Sequence, residues 1–120
     1  MRESFKRVGF TVYPVRDMKR ARAFYEGTLG LKACDDFQGE WQEYDFGGTC
    51  FAISTMIVEF VKPGTQGSVA FEVSDLPGLV KELRGKGVEF TDEELMDTPV
   101  CKMAFMKDPD GNTVSLHQLK

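Results

Sequence analysis

The order of apolar and polar positions along the chain is written twice. Between Phe10 and Asp17 the residues Thr11, Tyr13 and Val15 share one face, and the stretch lies over Ser68 to Asp75, where Val69, Phe71 and Val73 do the same. A period of two over that length predicts a half-buried strand. After each aspartate the period changes: Ala21, Phe24, Tyr25 and Thr28 in the first copy, and Leu76, Leu79, Val80 and Leu83 in the second, have the spacing of a helix with one face on a core. Asp17 and Asp75 are placed to cap those helices, because a short carboxylate accepts from first-turn amides that lack an intrahelical partner. Pro77 needs no such partner near the second start. Gly27 or Gly30, and Gly85 or Gly87, supply the left-handed residue that ends each helix.

Shorter strand-like runs follow each helix. In the first half they cover residues 41–46, then 50–54 across a Gly47-Gly48 hairpin turn, then 57–62. In the second, residues 88–91 form a short extended piece, and strands over 102–107 and 113–118 flank Asp108-Pro109-Asp110-Gly111, a turn with glycine where positive φ is needed. Each half therefore predicts one strand, one helix and about three further strands. Residues 63–67, with Pro63, Gly64 and Gly67, are the linker candidate between a module at 1–62 and one at 66–120.

Composition narrows the chemistry. A chain of 120 residues, 42% hydrophobic and 28% charged, fits one globular domain that needs neither disulfide nor structural metal. His117 is its one histidine, and Cys34, Cys50 and Cys101 lie far apart, so zinc-finger spacing, haem attachment and multi-histidine metal cages are excluded. The formal charge of −4 argues against a nucleic-acid surface, because Arg16, Lys19, Arg20 and Arg22 form a solvated helix face and not a phosphate-binding patch. There is no 18-residue apolar run and no leader-like apolar segment at the start. These features predict a cytoplasmic protein with reduced thiols that engages no membrane.

Residues 15–31, with Phe24-Tyr25 and Leu29-Gly30, and residues 108–118, opening Asp108-Pro109-Asp110-Gly111-Asn112, resemble the glyoxalase, bleomycin-resistance and dioxygenase superfamily, also called vicinal oxygen chelate. The resemblance spans essentially the whole chain. It implies an α+β fold, two βαβββ modules whose curled mixed sheets form an open cup, usually completed by pairing modules in a homodimer. Such a fold predicts architecture better than reaction. Metal-dependent members hold a divalent ion with four cup-facing His, Glu or Gln side chains. Carried over, those positions fall on Phe10, Glu59, Ser68 and Ser115. Only Glu59 is a good oxygen donor, so the resemblance implies no cofactor here, with Glu59 the one metal ligand if any is held.

Strand alternation places Phe10, Val12, Pro14, Glu59, Ser68, Ala70, Glu72, Ser115 and His117 on the cup face, with Val69, Phe71, Val114 and Leu116 under the helices. Trp41, Tyr44, Phe46, Phe51, Met103 and Phe105 are candidate walls, each explained as well by core packing. His117 fits two readings: a hydrogen-bonded edge residue, or a general base oriented by Glu59. Glu59 and Glu72 each fit either a ligand contact or an ordinary strand acid paired with a cation. Cys50 and Cys101 read as buried, inert thiols. Two functions follow. One is a metal-independent protein binding a small organic molecule in the cup, with contacts from Phe10, Val12, Trp41, Phe51, Ser68, Glu72, Phe105 and Ser115. The alternative is a metal-dependent glyoxalase-like lyase or isomerase acting on a small carbonyl compound, with Glu59 and His117 catalytic.

Overall fold

The computed structural model describes residues 4, 6–65 and 67–120. The expected module boundaries at residues 1 and 66 lie outside the described residues. Eight strands and two helical segments follow one another as β1 (Thr11–Pro14), α1 (Met18–Arg22) running on into a π-helical segment (Ala23–Thr28), β2 (Ala33–Phe37), β3 (Trp41–Asp45), β4 (Cys50–Ser54), β5 (Val69–Glu72), α2 (Leu76–Gly85), β6 (Met96–Asp97), β7 (Cys101–Lys107) and β8 (Thr113–Leu119). They make two four-stranded sheets of the same order, β1-β4-β3-β2 and β5-β8-β7-β6. In each, the first strand runs parallel to the last and the remaining pairs are antiparallel. The fold is therefore α+β, a βαβββ module written twice.

The expected caps form in both halves. Asp17 accepts from the Arg20 amide at 3.1 Å and Asp75 from the Gly78 amide at 3.2 Å. Gly30 (φ 77°) and Gly87 (φ 91°) then take the left-handed turn, with Leu31 N–H donating to Tyr25 C=O at 2.9 Å and Val88 N–H to Leu83 C=O at 3.0 Å. A side chain at either glycine would be strained by that φ. The first helix departs from its expected period after Arg22, where Leu29 N–H reaches five residues back to Phe24 C=O at 2.9 Å.

Tyr13, Val15, Phe51, Ile53, Phe71, Val114 and Leu116 pack with Ala21, Tyr25, Leu76, Val80 and Leu83 in one core that spans both modules. Val69, Phe71, Val114 and Leu116 thus lie on the helix side, as their alternation requires.

The apolar stretch 57–62 is not the expected strand. Residues 56–60 fold as turns, with Phe60 and Val61 N–H both donating to Ile57 C=O, at 2.9 and 2.8 Å. Phe51 and Ile53 of β4 already fill the core beside β1, so the run that follows has no core face left to cover and closes in turns. β2 and β6 carried no readable period: four of the five β2 residues are exposed, and β6 has only two residues. Residues 88–91 contribute one isolated bridge, Phe90 with Met106.

The modules are joined through the 108–112 turn. Asp108 Oδ1 accepts from the amides of Asp110 and Asn112 at 2.9 and 2.8 Å, and its Oδ2 accepts from Tyr25 Oη at 2.8 Å and Asn112 Nδ2 at 2.9 Å. Asn112 Nδ2 also donates to Pro14 C=O, and its Oδ1 accepts from Gly64 N–H, both at 2.9 Å. Asp110 Oδ1 accepts from Arg16 N–H at 2.9 Å and from the Arg20 guanidinium at 3.1 Å. All three side chains are buried. Burial, reinforced by the Asp108 charge, holds the Tyr25 phenol far above its usual range, so it stays a donor.

Asn112→Ala strands the Pro14 carbonyl and the Gly64 amide, and is expected to cost about 2 to 3 kcal/mol. Tyr25→Phe leaves Asp108 with three donors and should cost about 1 kcal/mol. Urea denaturation measures both; a loss below about 1 kcal/mol for Asn112→Ala would show that the turn does not hold the modules together.

Candidate functional site

Each sheet has one face on the helices and one free of them. On the second sheet, register brings Glu72, His117, Met103 and Met96 into one row across four strands, and Ala70, Ser115 and Phe105 into the next. Ser68 and Ser115 share a short hydroxyl–hydroxyl hydrogen bond. His117 is half-buried, while Ser68 and Glu72 are exposed. On the first sheet the Phe10 ring meets Trp41 edge to face at 5.1 Å, and Trp41 Nε1 donates to Glu43 at 2.9 Å. Val12 is opposite Ala52, and Ala52 opposite Glu43.

Two expected wall residues turn the other way. Phe51 is buried on the helix side against Tyr13, Tyr25, Tyr44 and Phe71. Tyr44 is fully buried there as well, its hydroxyl donating to Glu26 at 2.8 Å. Residues 51 and 44 face each other across β3 and β4, so both follow the core face.

β1 and β5 are each an edge strand of their sheet, and a cleft of about 540 Å³ opens where β5 faces the starts of β1 and β4. Five consecutive residues, Ser68 to Glu72, line it, facing Thr11, Cys50, Phe51 and Phe46. Phe46 stacks on Phe71 at 5.3 Å, and Phe71 meets Phe51 edge to face at 5.3 Å. The Tyr13 hydroxyl accepts from Val69 N–H and donates to Thr113 C=O. A larger hollow of about 600 Å³ lies beside Phe24, Lys86, Phe90 and Lys107, where none of the expected site residues falls. The smaller cleft is the better candidate because it joins both modules and has an aromatic wall with few polar groups.

Among the residues expected on the cup face or its walls, Ser68, Ala70, Glu72, Phe46 and Phe51 line this cleft. Phe10, Val12 and Trp41 gather on the first sheet's free face, and Ser115, Phe105 and His117 on the second's. Glu59 joins none of these groups; it sits exposed on the 56–60 turn, and the cross-strand neighbour of His117 is Glu72. Phe71 and Thr11 were missed as cleft residues because alternation assigns them to the helix side, and an edge strand exposes the rims of both its faces.

A model of the Glyoxalase/Bleomycin resistance protein/Dioxygenase superfamily matches residues 7–116. The chain belongs to this superfamily. Solved structures agree in fold. TnmS3, an antibiotic-binding protein from Streptomyces sp. CB03234, is 24% identical over 98% of each chain with a TM-score of 0.81. A glyoxalase/bleomycin resistance protein from the same organism is 25% identical over 93% of this chain and 100% of that one, TM-score 0.77. Lactoylglutathione lyase from Agrobacterium tumefaciens is 17% identical over 94% and 93%, TM-score 0.75. A comparison with curated proteins finds no match.

The superfamily's metal positions are tested by the repeat. Val12 pairs with Ala52 as Ala70 pairs with Ser115, so the first-module counterpart of Ser115 is Ala52, not Glu59. The four positions are then Phe10, Ala52, Ser68 and Ser115. Two carry no donor atom, and the two hydroxyls bond to each other. This set does not fit a divalent ion. Elsewhere, a register shift in β2 sets Cys34 and Asp35 against Glu43, their ligand atoms all within 4.8 Å. Cys34 and Asp35 are exposed, and solvation accounts for such a group without an ion.

Burial, helped by the nearby Glu43 carboxylate, raises the Cys50 thiol above its usual range. Below about pH 9, iodoacetamide is therefore expected to modify exposed Cys34 well before Cys50, with Cys50 catching up only as pH rises further. Peptide mass spectrometry reads this; equal rates near pH 8 would mean that Cys50 is an activated thiolate.

Proposed function

We propose that this superfamily member is a metal-independent protein that binds a small organic molecule in the cleft between β1 and β5 and on the adjoining helix-free faces. The observation that carries the reading is the pairing of that aromatic cleft with metal positions occupied by Phe10, Ala52, Ser68 and Ser115. The likeness in fold to an antibiotic-binding protein supports it. The lyase or isomerase alternative has less support: Glu59 lies on the 56–60 turn, outside His117's row, and the superfamily's metal positions hold two residues without a donor atom and two hydroxyls bonded to each other.

The working form is a homodimer. Val8, Phe10, Phe37, Phe60, Met96, Val100 and Leu119 are each at least half exposed, apolar surface for a second copy to cover. Its place is the cytoplasm, in keeping with three free cysteines. No helix among the described residues is long and apolar enough to cross a membrane.

Protein purified without chelator is expected to carry no stoichiometric divalent ion by elemental analysis; one tightly held ion per chain would overturn the reading. In a thermal-shift screen of glutathione adducts, aromatic catabolites and glycopeptide antibiotics, a true ligand at 100 times its Kd adds about 2.7 kcal/mol. Phe46→Ala should lower that ligand's affinity about tenfold, since the ring forms an open wall of the cleft.

A further inference from the structure

The cleft is bordered by two edge strands that differ in how they are guarded. On β1 the Val15 amide donates to Ser54 C=O, so residues 11, 13 and 15 turn their backbone groups toward β4 and residues 12 and 14 turn theirs outward. Residue 14 is a proline with no N–H, and its carbonyl is already taken by Asn112. That edge cannot continue a ladder. On β5 the Val73 amide donates to His117 C=O, which turns residues 71 and 73 toward β8 and leaves the N–H and C=O of Ala70 and Glu72 facing the cleft. β5 has no proline, no lysine and no register shift, the devices by which proteins usually close an edge. β2 has a register shift and two aspartates, and β6 is only two residues long. β5 is the open edge, and its residues line the cleft continuously from Ser68 to Glu72.

Resting on the small-molecule reading above, we propose that the ligand binds as an added strand on β5. Its class is a peptide or peptide-like small molecule with at least two amides in extended conformation. Its backbone exchanges hydrogen bonds with Ala70 and Glu72, an aromatic or branched side group lies on Phe46 and Phe71, and a basic group meets the Glu72 carboxylate. Among the described residues, the cleft lining contains no cationic side chain to oppose that charge. The Tyr13 hydroxyl, which bridges Val69 N–H and Thr113 C=O, lies on the β8 side of β5 and leaves the cleft-side edge free.

The test is a titration of ¹⁵N-labelled full-length protein with acetyl-lysyl-phenylalanyl-valinamide, alongside the same peptide N-methylated at its phenylalanyl amide. The unmethylated peptide should move the Ala70 and Glu72 amide resonances saturably. N-methylation should weaken binding about tenfold, the loss expected for one hydrogen bond. Ala70→Pro should abolish binding with an unchanged thermal midpoint. If that variant does not fold, Glu72→Gln serves instead, and should weaken the lysyl peptide while leaving its norleucyl counterpart unaffected. The proposal is overturned by equal binding of the methylated peptide, by shifts centred on Phe10 and Trp41, or by no saturable shift at all. A screening ligand that binds the cleft without moving the β5 amides would remove this proposal and leave the broader one standing.

Discussion

The Asp108 carboxylate organises the meeting of the two modules. It accepts four hydrogen bonds, two from its own turn, one from the Asn112 side chain and one from Tyr25 on the first module's helix. A buried carboxylate is tolerated only when its acceptor sites are filled. Filling them requires Tyr25 to sit at the widened end of the first helix and Asn112 to face Pro14. The same asparagine fixes Gly64, so the chain passing between modules is held at the place where it crosses. Arg16 and Arg20 balance the neighbouring Asp110, again from the first module. These directed polar contacts join the two halves over an apolar core that both share.

That arrangement determines what the cleft is made of. With Pro14 bound at one end of β1 and Tyr13 inserted at the start of β5, the two edges stand apart without pairing, and the rings of Phe46, Phe51 and Phe71 fill the space beneath them. The second sheet keeps polar groups on its free face, where Ser68 and Ser115 satisfy each other and His117 lies beside Glu72. At the second module's two superfamily metal positions the Ser68 and Ser115 hydroxyls bond to each other, and the first-module counterpart of Ser115 is Ala52, which offers no donor atom. The proposed binding site would act through contact and hydrogen bonding.

Much of the fold was legible because repetition checks itself. The alternation at Thr11, Tyr13 and Val15 gains weight from its copy at Val69, Phe71 and Val73, and the caps at Asp17 and Asp75 mark both helix starts. β2 was illegible, since an edge strand with four of five residues in water carries no buried face to give it a period. The 57–62 run misled in the opposite sense: it is apolar enough for a strand, yet Phe60 remains 86% exposed. Glu59 was drawn into the candidate site by that error. The lining from Ser68 to Glu72 was half seen, because alternation describes the two faces of a strand and says nothing of an unpaired rim.

By itself the sequence determined the module, its duplication, the helix caps, the turn at 108–112 and the poverty of metal ligands, for these depend on local period, local hydrogen bonding and residue type. Tertiary structure alone decided which face Phe51 and Tyr44 take, that Ala52 and not Glu59 is the first-module counterpart of Ser115, that Glu72 and not Glu59 neighbours His117, and that β5 is left with an open edge. Those are matters of register and of which strand lies beside which. Register is settled by contacts between residues distant in the chain, such as Asn112 with Pro14, and no local pattern records them.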